Sequence, residues 1–179
     1  MHSKSILGWL GVLLTLLKPA IIWVILVLLA NQQKGFASVG IFCFMISDVF
    51  DGIIFRKSPP EMQRRFGFFR RVIDAIGDRV CIFTVFLVMV KMTNFPFYIY
   101  SVELVREIIL ISIVGYSWIV HRPIRNPNNI SRTATFFTGL SAIAWLNAQP
   151  AFAIFFISQT GIFGAVGLWK YYQTTVVKD

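Results

Sequence analysis

Long apolar segments separated by short polar ones dominate this 179-residue chain. Residues 6–17 and 19–30 are two such runs, and only Lys18 divides them. A helix needs about 20 mostly apolar residues to cross the hydrocarbon core of a bilayer. Charged residues make up only 14% of the chain, against about 25% in a typical soluble domain. The sequence therefore predicts a polytopic membrane protein and excludes a disordered chain.

We predict an all-α integral membrane protein in which six transmembrane helices form one bundle and one domain over residues 1–179. A short interfacial helix from Ser5 to Val12 is expected before the first span. Turn and helix-end signals such as Lys34-Gly35 and Gln149-Pro150 separate the apolar segments. The expected spans are Leu13 to Asn31, Phe36 to Arg56, Phe68 to Met92, Pro96 to Val120, Arg132 to Asn147 and Pro150 to Tyr171.

The basic residues indicate an orientation. The chain has 17 Lys and Arg against 8 Asp and Glu, a net charge of +9. In a soluble protein this excess would suggest a nucleic-acid partner. Here the basic residues cluster in segments 56–71 and 121–132, between apolar spans, so we expect no nucleic acid and a contact with anionic lipid instead. With six spans, both segments and both termini face the cytoplasm by the positive-inside bias.

Four of the eight acidic residues lie in or beside apolar segments. Asp48 and Asp51 are three residues apart on one predicted helix, and Asp74 and Asp78 are four apart on the next. Each spacing places its pair on one helical face. Because the two helices are antiparallel neighbours joined by a basic loop, all four carboxylates are expected at similar depth, just below the cytoplasmic surface.

Carboxylates inside a membrane need a counter-charge, since one Asp at the bilayer centre costs about 2.5–3.5 kcal/mol on insertion scales. An all-oxygen ligand set suits Mg²⁺ or Mn²⁺, and four carboxylates can hold two ions about 3.5–4 Å apart. Such a pair of ions binds a diphosphate. The alternative is that the carboxylates form salt bridges with nearby arginines, namely Arg56, Arg71 and Arg79.

The segment that contains these aspartates resembles the signature of a known family. The stretch from Asp48 to Arg56, followed by Asp74 and Asp78, is similar to the signature D-x-x-D-G-x-x-A-R … G-x-x-x-D-x-x-x-D of the CDP-alcohol phosphatidyltransferases, including the phosphatidylglycerophosphate synthases. Two weaker similarities lie outside it. Residues 14–18 (LTLLK) resemble the family's L-T-x-x-R, and residues 131–135 (SRTAT) resemble its G-K-x-x-T.

The resemblance implies an activity and a homodimer. Family members transfer a phosphatidyl group from a CDP-linked lipid such as CDP-diacylglycerol to an alcohol and release CMP, with the site open to the cytoplasmic leaflet. By position, Asp48, Asp51 and Asp74 are expected to bind two divalent cations. Asp78 is expected to be both a ligand and the base for the acceptor hydroxyl. The residues expected to face the nucleotide are Gly52, Arg56 and Arg70.

The sequence also departs from the signature. Phe55 stands where the family has Ala, and Arg70 stands where it has the second Gly. These small residues are expected to allow the close approach of the nucleotide. The two bulky replacements therefore leave open whether Arg70 contacts the nucleotide or obstructs its pocket.

The acceptor is an alcohol or a sugar phosphate, and arginines are the candidates to bind it. Arg106 lies inside the fourth span, which makes it a site candidate, with an internal ion pair to Glu103 as the alternative. Arg122 and Arg132 lie in the second basic segment and suit a phosphorylated acceptor such as glycerol 3-phosphate. The alternative for these two is that they only set topology.

Three other functions are alternatives to this one. The same fold can use inositol or inositol phosphate as acceptor. Phe55 and Arg70 favour a catalytically silent family member. A cation transporter is the interpretation from another class, but the aspartates cluster near one surface and no pair of broken helices is evident, which argues against transport.

Overall fold

A computed structural model describes residues 2–56, 77, 79–120 and 129–174, with only the backbone at some positions, among them Asp51, Gly52 and Arg56. The described residues form helices and turns and no strands. Within these residues we number six helices: α1 (His2–Ala30), α2 (Lys34–Arg56), α3 (79–93), α4 (Phe97–Ile119), α5 (Asn129–Leu146) and α6 (Pro150–Tyr172).

One element differs from the prediction. The segment Ser5 to Val12 is not a separate interfacial helix, because α1 runs without interruption from His2 to Ala30. The sequence at Val12 and Leu13 contains no turn-forming pair that would end the helix there. Pro19 lies inside α1 as well, where it lacks the N–H that would bond to the carbonyl one turn earlier.

Within the described residues, α6 is the one helix that is both long enough and apolar enough to cross a membrane by length and composition. The described residues of α1 include a shorter apolar helix, Thr15–Ala30. In α4, three ionisable residues interrupt the apolar sequence near its middle: Glu103, Arg106 and Glu107. The six spans therefore stay a prediction.

The chain divides into two compact units, residues 1–92 and 93–179. In the first unit α1 packs against α2. The buried residues of α1 recur at alternating intervals of three and four, as in a helix with one packed stripe: Thr15, Lys18, Ile22, Ile25 and Leu29. They face a stripe on α2 that contains Ala37, Ile41 and Phe44.

In the second unit α6 packs against both α5 and α4. The buried stripe of α6 consists mostly of small residues: Ala153, Ile157, Thr160, Gly164, Gly167 and Tyr171. Small side chains let two helix backbones approach closely, as is common between helices in membranes. The Ser141 hydroxyl uses this proximity to donate a hydrogen bond to the Ala153 carbonyl, at 2.9 Å.

The turns after α1 and after α5 have the same construction. Gln32 and Ala148 each adopt a left-handed conformation, with φ of 57° and 58°. The next residue in each turn, Gln33 or Gln149, donates its backbone N–H to a carbonyl five residues earlier, at 2.9 Å. This is the pattern of a Schellman motif, which ends a helix and reverses the chain.

Candidate functional site

In the first unit, Asp48 on α2 is the signature aspartate whose side chain the structure describes. Nζ of Lys18, on α1, lies 2.7 Å from Oδ1 of Asp48. The Lys18 side chain is 4% exposed, whereas the Asp48 side chain is 47% exposed. A buried ammonium therefore holds one oxygen of a carboxylate whose other side is open.

The two residues belong to the α1–α2 interface. A Cβ atom on Gly40 of α2 would lie 2.7 Å from Cγ1 of Ile25, so the two helices approach closely there. Lys18 lies two turns before Ile25 on α1, and Asp48 lies two turns after Gly40 on α2. The antiparallel packing of the two apolar stripes therefore brings Lys18 to Asp48.

The other residues of the signature are located by the backbone or lie outside the described residues. Gly52 and Arg56 follow Asp48 at successive turns of α2, and Asp51 is on the same helix. The structure describes none of the side chains of these three. Outside the described residues lie Arg70, Asp74, Asp78 and Arg122.

The described residues contain no group of three side chains that could hold a metal ion. Asp48 itself suits such a role. Its Oδ1 accepts the hydrogen bond from Lys18, and within the described part of the chain its Oδ2 accepts none. A half-exposed carboxylate is a ligand type that Mg²⁺ and Mn²⁺ prefer.

In the second unit a buried ion-pair cluster lies near the middle of α4. Nη2 of Arg106 is 2.6 Å from Oε1 of Glu103 and 2.5 Å from Oε1 of Glu107. All three side chains are at most 9% exposed. The structure thus agrees with the predicted internal ion pair of Arg106 with Glu103 and adds Glu107. Arg132, also a predicted acceptor ligand, is exposed on α5.

Three threonines extend this cluster to the neighbouring helices. Thr138 of α5 donates a hydrogen bond to Oε2 of Glu103 at 2.9 Å, and its hydroxyl lies 3.3 Å from that of Thr160 on α6. Arg106 donates to the Thr135 hydroxyl at 3.1 Å. Thr138 and Thr160 were not among the predicted site residues, whereas Thr135 lies in the segment 131–135 that resembles the family's G-K-x-x-T. The signal for Thr138 and Thr160 is a hydroxyl at a buried position of an otherwise apolar helix.

The distribution of polarity is the reverse of that in a water-soluble protein. The charged side chains of Lys18, Glu103 and Arg106 are buried. Large apolar side chains are exposed instead, for example Trp23 at 69% and Phe36 at 70%. Ionisable residues in membrane spans usually face the protein interior and pair with one another. The arrangement in each unit therefore fits helices that contact lipid.

The comparisons with known proteins agree with the signature. The chain matches the model of the CDP-alcohol phosphatidyltransferase family over residues 9–174, a range that contains all four aspartates. Neither a curated protein nor a solved structure matches the chain significantly. The family consists of membrane transferases of phospholipid biosynthesis that move a phosphatidyl group from a CDP-alcohol. This chain belongs to the CDP-alcohol phosphatidyltransferase family.

Proposed function

We propose that this protein transfers the phosphatidyl group of CDP-diacylglycerol to a small alcohol acceptor and releases CMP. The observation that carries the proposal is the family match over residues 9–174, within which all four aspartates of the signature are present. The open carboxylate of Asp48 on α2 supports it, because a metal ligand needs an accessible oxygen.

The reaction exchanges one phosphorus–oxygen bond for another. The acceptor oxygen forms a bond to the phosphorus that carries the diacylglycerol, and the bond from this phosphorus to the CMP oxygen breaks. Asp78 takes the proton of the acceptor hydroxyl. Arg56 and Arg70 donate charge-assisted hydrogen bonds to the diphosphate, and Gly52 leaves room for it.

Four carboxylates fit two divalent cations, Mg²⁺ or Mn²⁺. Their ligands are Asp48, Asp51, Asp74 and Asp78. When bound, the two ions offset the charge of the carboxylates and of the diphosphate and stabilise the leaving oxygen. Asp48 offers a half-exposed carboxylate for this purpose.

We propose glycerol 3-phosphate as the acceptor, with its phosphate bound by Arg122 and Arg132. The ion pairs of Arg106 with Glu103 and Glu107 favour a structural role for Arg106 over acceptor binding. Inositol and inositol phosphate are the alternative acceptors. Purified protein incubated with CDP-diacylglycerol and each acceptor in turn identifies the acceptor by the mass of the lipid product. Product with inositol but not with glycerol 3-phosphate would contradict our choice.

The membrane topology that suits this function has six spans, with both termini and the site in the cytoplasm. The exposed apolar side chains of both units and the burial of their charges support it. Single cysteines placed in the turns at Gln32, Asn94 and Ala148, in a background without Cys43 and Cys81, test it. Outside-only labelling of all three in intact cells is expected, and protection of any one of them would contradict the topology.

We also propose that the protein forms a homodimer, as its family resemblance implies. Light scattering of the detergent-solubilised protein measures the mass of the assembly after correction for bound detergent. Two copies of the 20.4 kDa chain are expected. A single copy under conditions in which the protein is active would contradict the dimer.

A further inference from the structure

We propose that Lys18 is a positioning residue of the metal site, which holds Asp48 in place before metal binds and lowers the affinity of the site for divalent cations. The inference rests on the proposed function, because it takes Asp48 as a metal ligand. It adds a residue outside the four-aspartate signature, on a different helix.

The contact has the geometry of a strong, charge-assisted hydrogen bond. Nζ of Lys18 is 2.7 Å from Oδ1 of Asp48, at the short end of the range of about 2.7–2.9 Å for such bonds. The ammonium approaches from the buried side, since the Lys18 side chain is 4% exposed. A ligand that arrives from solvent therefore meets the open side of the carboxylate.

Helix packing fixes the position of Lys18. It continues the buried stripe of Ile22, Ile25 and Leu29 on α1, and its place on α1 is therefore set by the apolar interface with α2. The close approach of Gly40 to Ile25 fixes the register between the two helices. Lys18 is thus held beside Asp48 whether or not a metal is bound.

The charge of Lys18 has two opposite effects on Asp48. Without metal, the ammonium compensates the charge of a half-exposed carboxylate that lies beside an apolar interface. With metal, two positive groups share one carboxylate and repel each other. At a separation of about 6 Å and the dielectric constant of bulk water, a unit charge and a divalent ion repel by roughly the equivalent of a tenfold change in Kd. A less polar environment increases this factor.

The test measures the binding of Mn²⁺ to the full-length protein in detergent, without substrate. The electron paramagnetic resonance signal of free Mn²⁺ serves as the readout. Lys18→Met and Lys18→Gln remove the charge, and the glutamine keeps a hydrogen-bond donor. We expect both to lower the Kd for Mn²⁺ about tenfold or more. Lys18→Arg keeps the charge and is expected to bind Mn²⁺ as the unaltered protein does.

A matched control removes the same charge elsewhere in the unit. Lys34 is exposed at the start of α2, fourteen residues before Asp48, which is about 21 Å along the helix. Lys34→Met is expected to leave the Kd within a factor of two. The melting temperature of metal-free Lys18→Met is expected to fall below that of Lys34→Met, because Asp48 loses its partner.

The possible results distinguish the role of Lys18 from the existence of the metal site. Unchanged or weaker Mn²⁺ binding in the neutral Lys18 variants would overturn the role assigned to Lys18. If Lys18→Met does not fold, Lys18→Gln decides the outcome. An unaltered protein that binds no Mn²⁺, or that binds it equally well after Asp48→Asn, would instead refute the metal site of the proposed function.

Discussion

Gly164 of α6 lies directly against the side chain of Arg106 on α4. A Cβ atom at position 164 would lie 2.9 Å from Cδ of Arg106, closer than carbon atoms pack in folded proteins. Arg106 cannot retreat without loss of its ion pairs with Glu103 and Glu107. The absence of a side chain at Gly164 therefore allows a charged cluster to be buried between α4 and α6.

The first prediction follows from this contact. Gly164→Ala is expected to destabilise the protein by about 1–3 kcal/mol, as overpacking of a core does. Gly161→Ala is the matched control on the same helix, because its Cβ would meet only Cγ1 of Val102, at 3.8 Å. The control is expected to be neutral or slightly stabilising, since Ala favours helix over Gly. Unfolding in detergent followed by circular dichroism measures both, and equal stability of the two variants would contradict the account.

The second prediction concerns the ion pairs of Arg106. Arg106→Met leaves two buried carboxylates without their guanidinium and is expected to cost about 3–5 kcal/mol of folding free energy. Combining it with Glu107→Gln removes one of the two charges and is expected to restore part of the stability. The same unfolding measurement applies, with Lys91→Met as an exposed control. A double variant less stable than Arg106→Met would show that the carboxylate is not the source of the cost.

The third prediction concerns the turn between α5 and α6. Ala148 has a φ of 58°, a conformation that strains any residue with a Cβ atom. Ala148→Gly is expected to stabilise the protein by about 0.5–1 kcal/mol. The same substitution at Ala165, exposed within α6, is expected to destabilise it by a similar amount because glycine weakens a helix. Melting temperatures that fall in both variants would contradict the role of the turn.

The fourth prediction addresses a departure from the family signature. Arg70 replaces a glycine, and we expect its guanidinium to bind the diphosphate. Arg70→Gly should therefore raise KM for CDP-diacylglycerol about tenfold or more, while Arg70→Lys raises it less. Steady-state rates of CMP release measure both. A lower KM or a higher kcat in Arg70→Gly would show that Arg70 obstructs the pocket.

Apolar patterning and helix-end signals predicted most of the helix boundaries. The helix α2 begins two residues before the expected span from Phe36 to Arg56 and ends with it. The helix α6 ends one residue after the expected span from Pro150 to Tyr171. Both helices begin where turn residues interrupt an apolar run, which is a local property of the sequence. The single helix α1 replaces the predicted interfacial helix and first span, because the sequence at Val12 and Leu13 contains no turn-forming pair that would separate them.

Contacts between side chains were predicted less well than the helix boundaries. The spacing of Glu103 and Arg106 identified one ion pair, but a helix presents neighbours three or four residues apart, and this rule disfavoured Glu107 at the adjacent position. The long guanidinium reaches it nevertheless. The contact of Lys18 with Asp48 joins residues 30 apart in the chain, and it depends on the register between α1 and α2. Local patterning carries no information on that register.

The central claim is that this protein is an active, metal-dependent CDP-alcohol phosphatidyltransferase. The most direct test measures CMP release by the purified protein from CDP-diacylglycerol, with glycerol 3-phosphate and either Mg²⁺ or Mn²⁺. We expect release that requires both the acceptor and the metal, stops when a chelator is added and is abolished in a folded Asp78→Asn variant. No release with any acceptor from folded, metal-binding protein would contradict it and would identify a silent member of the family.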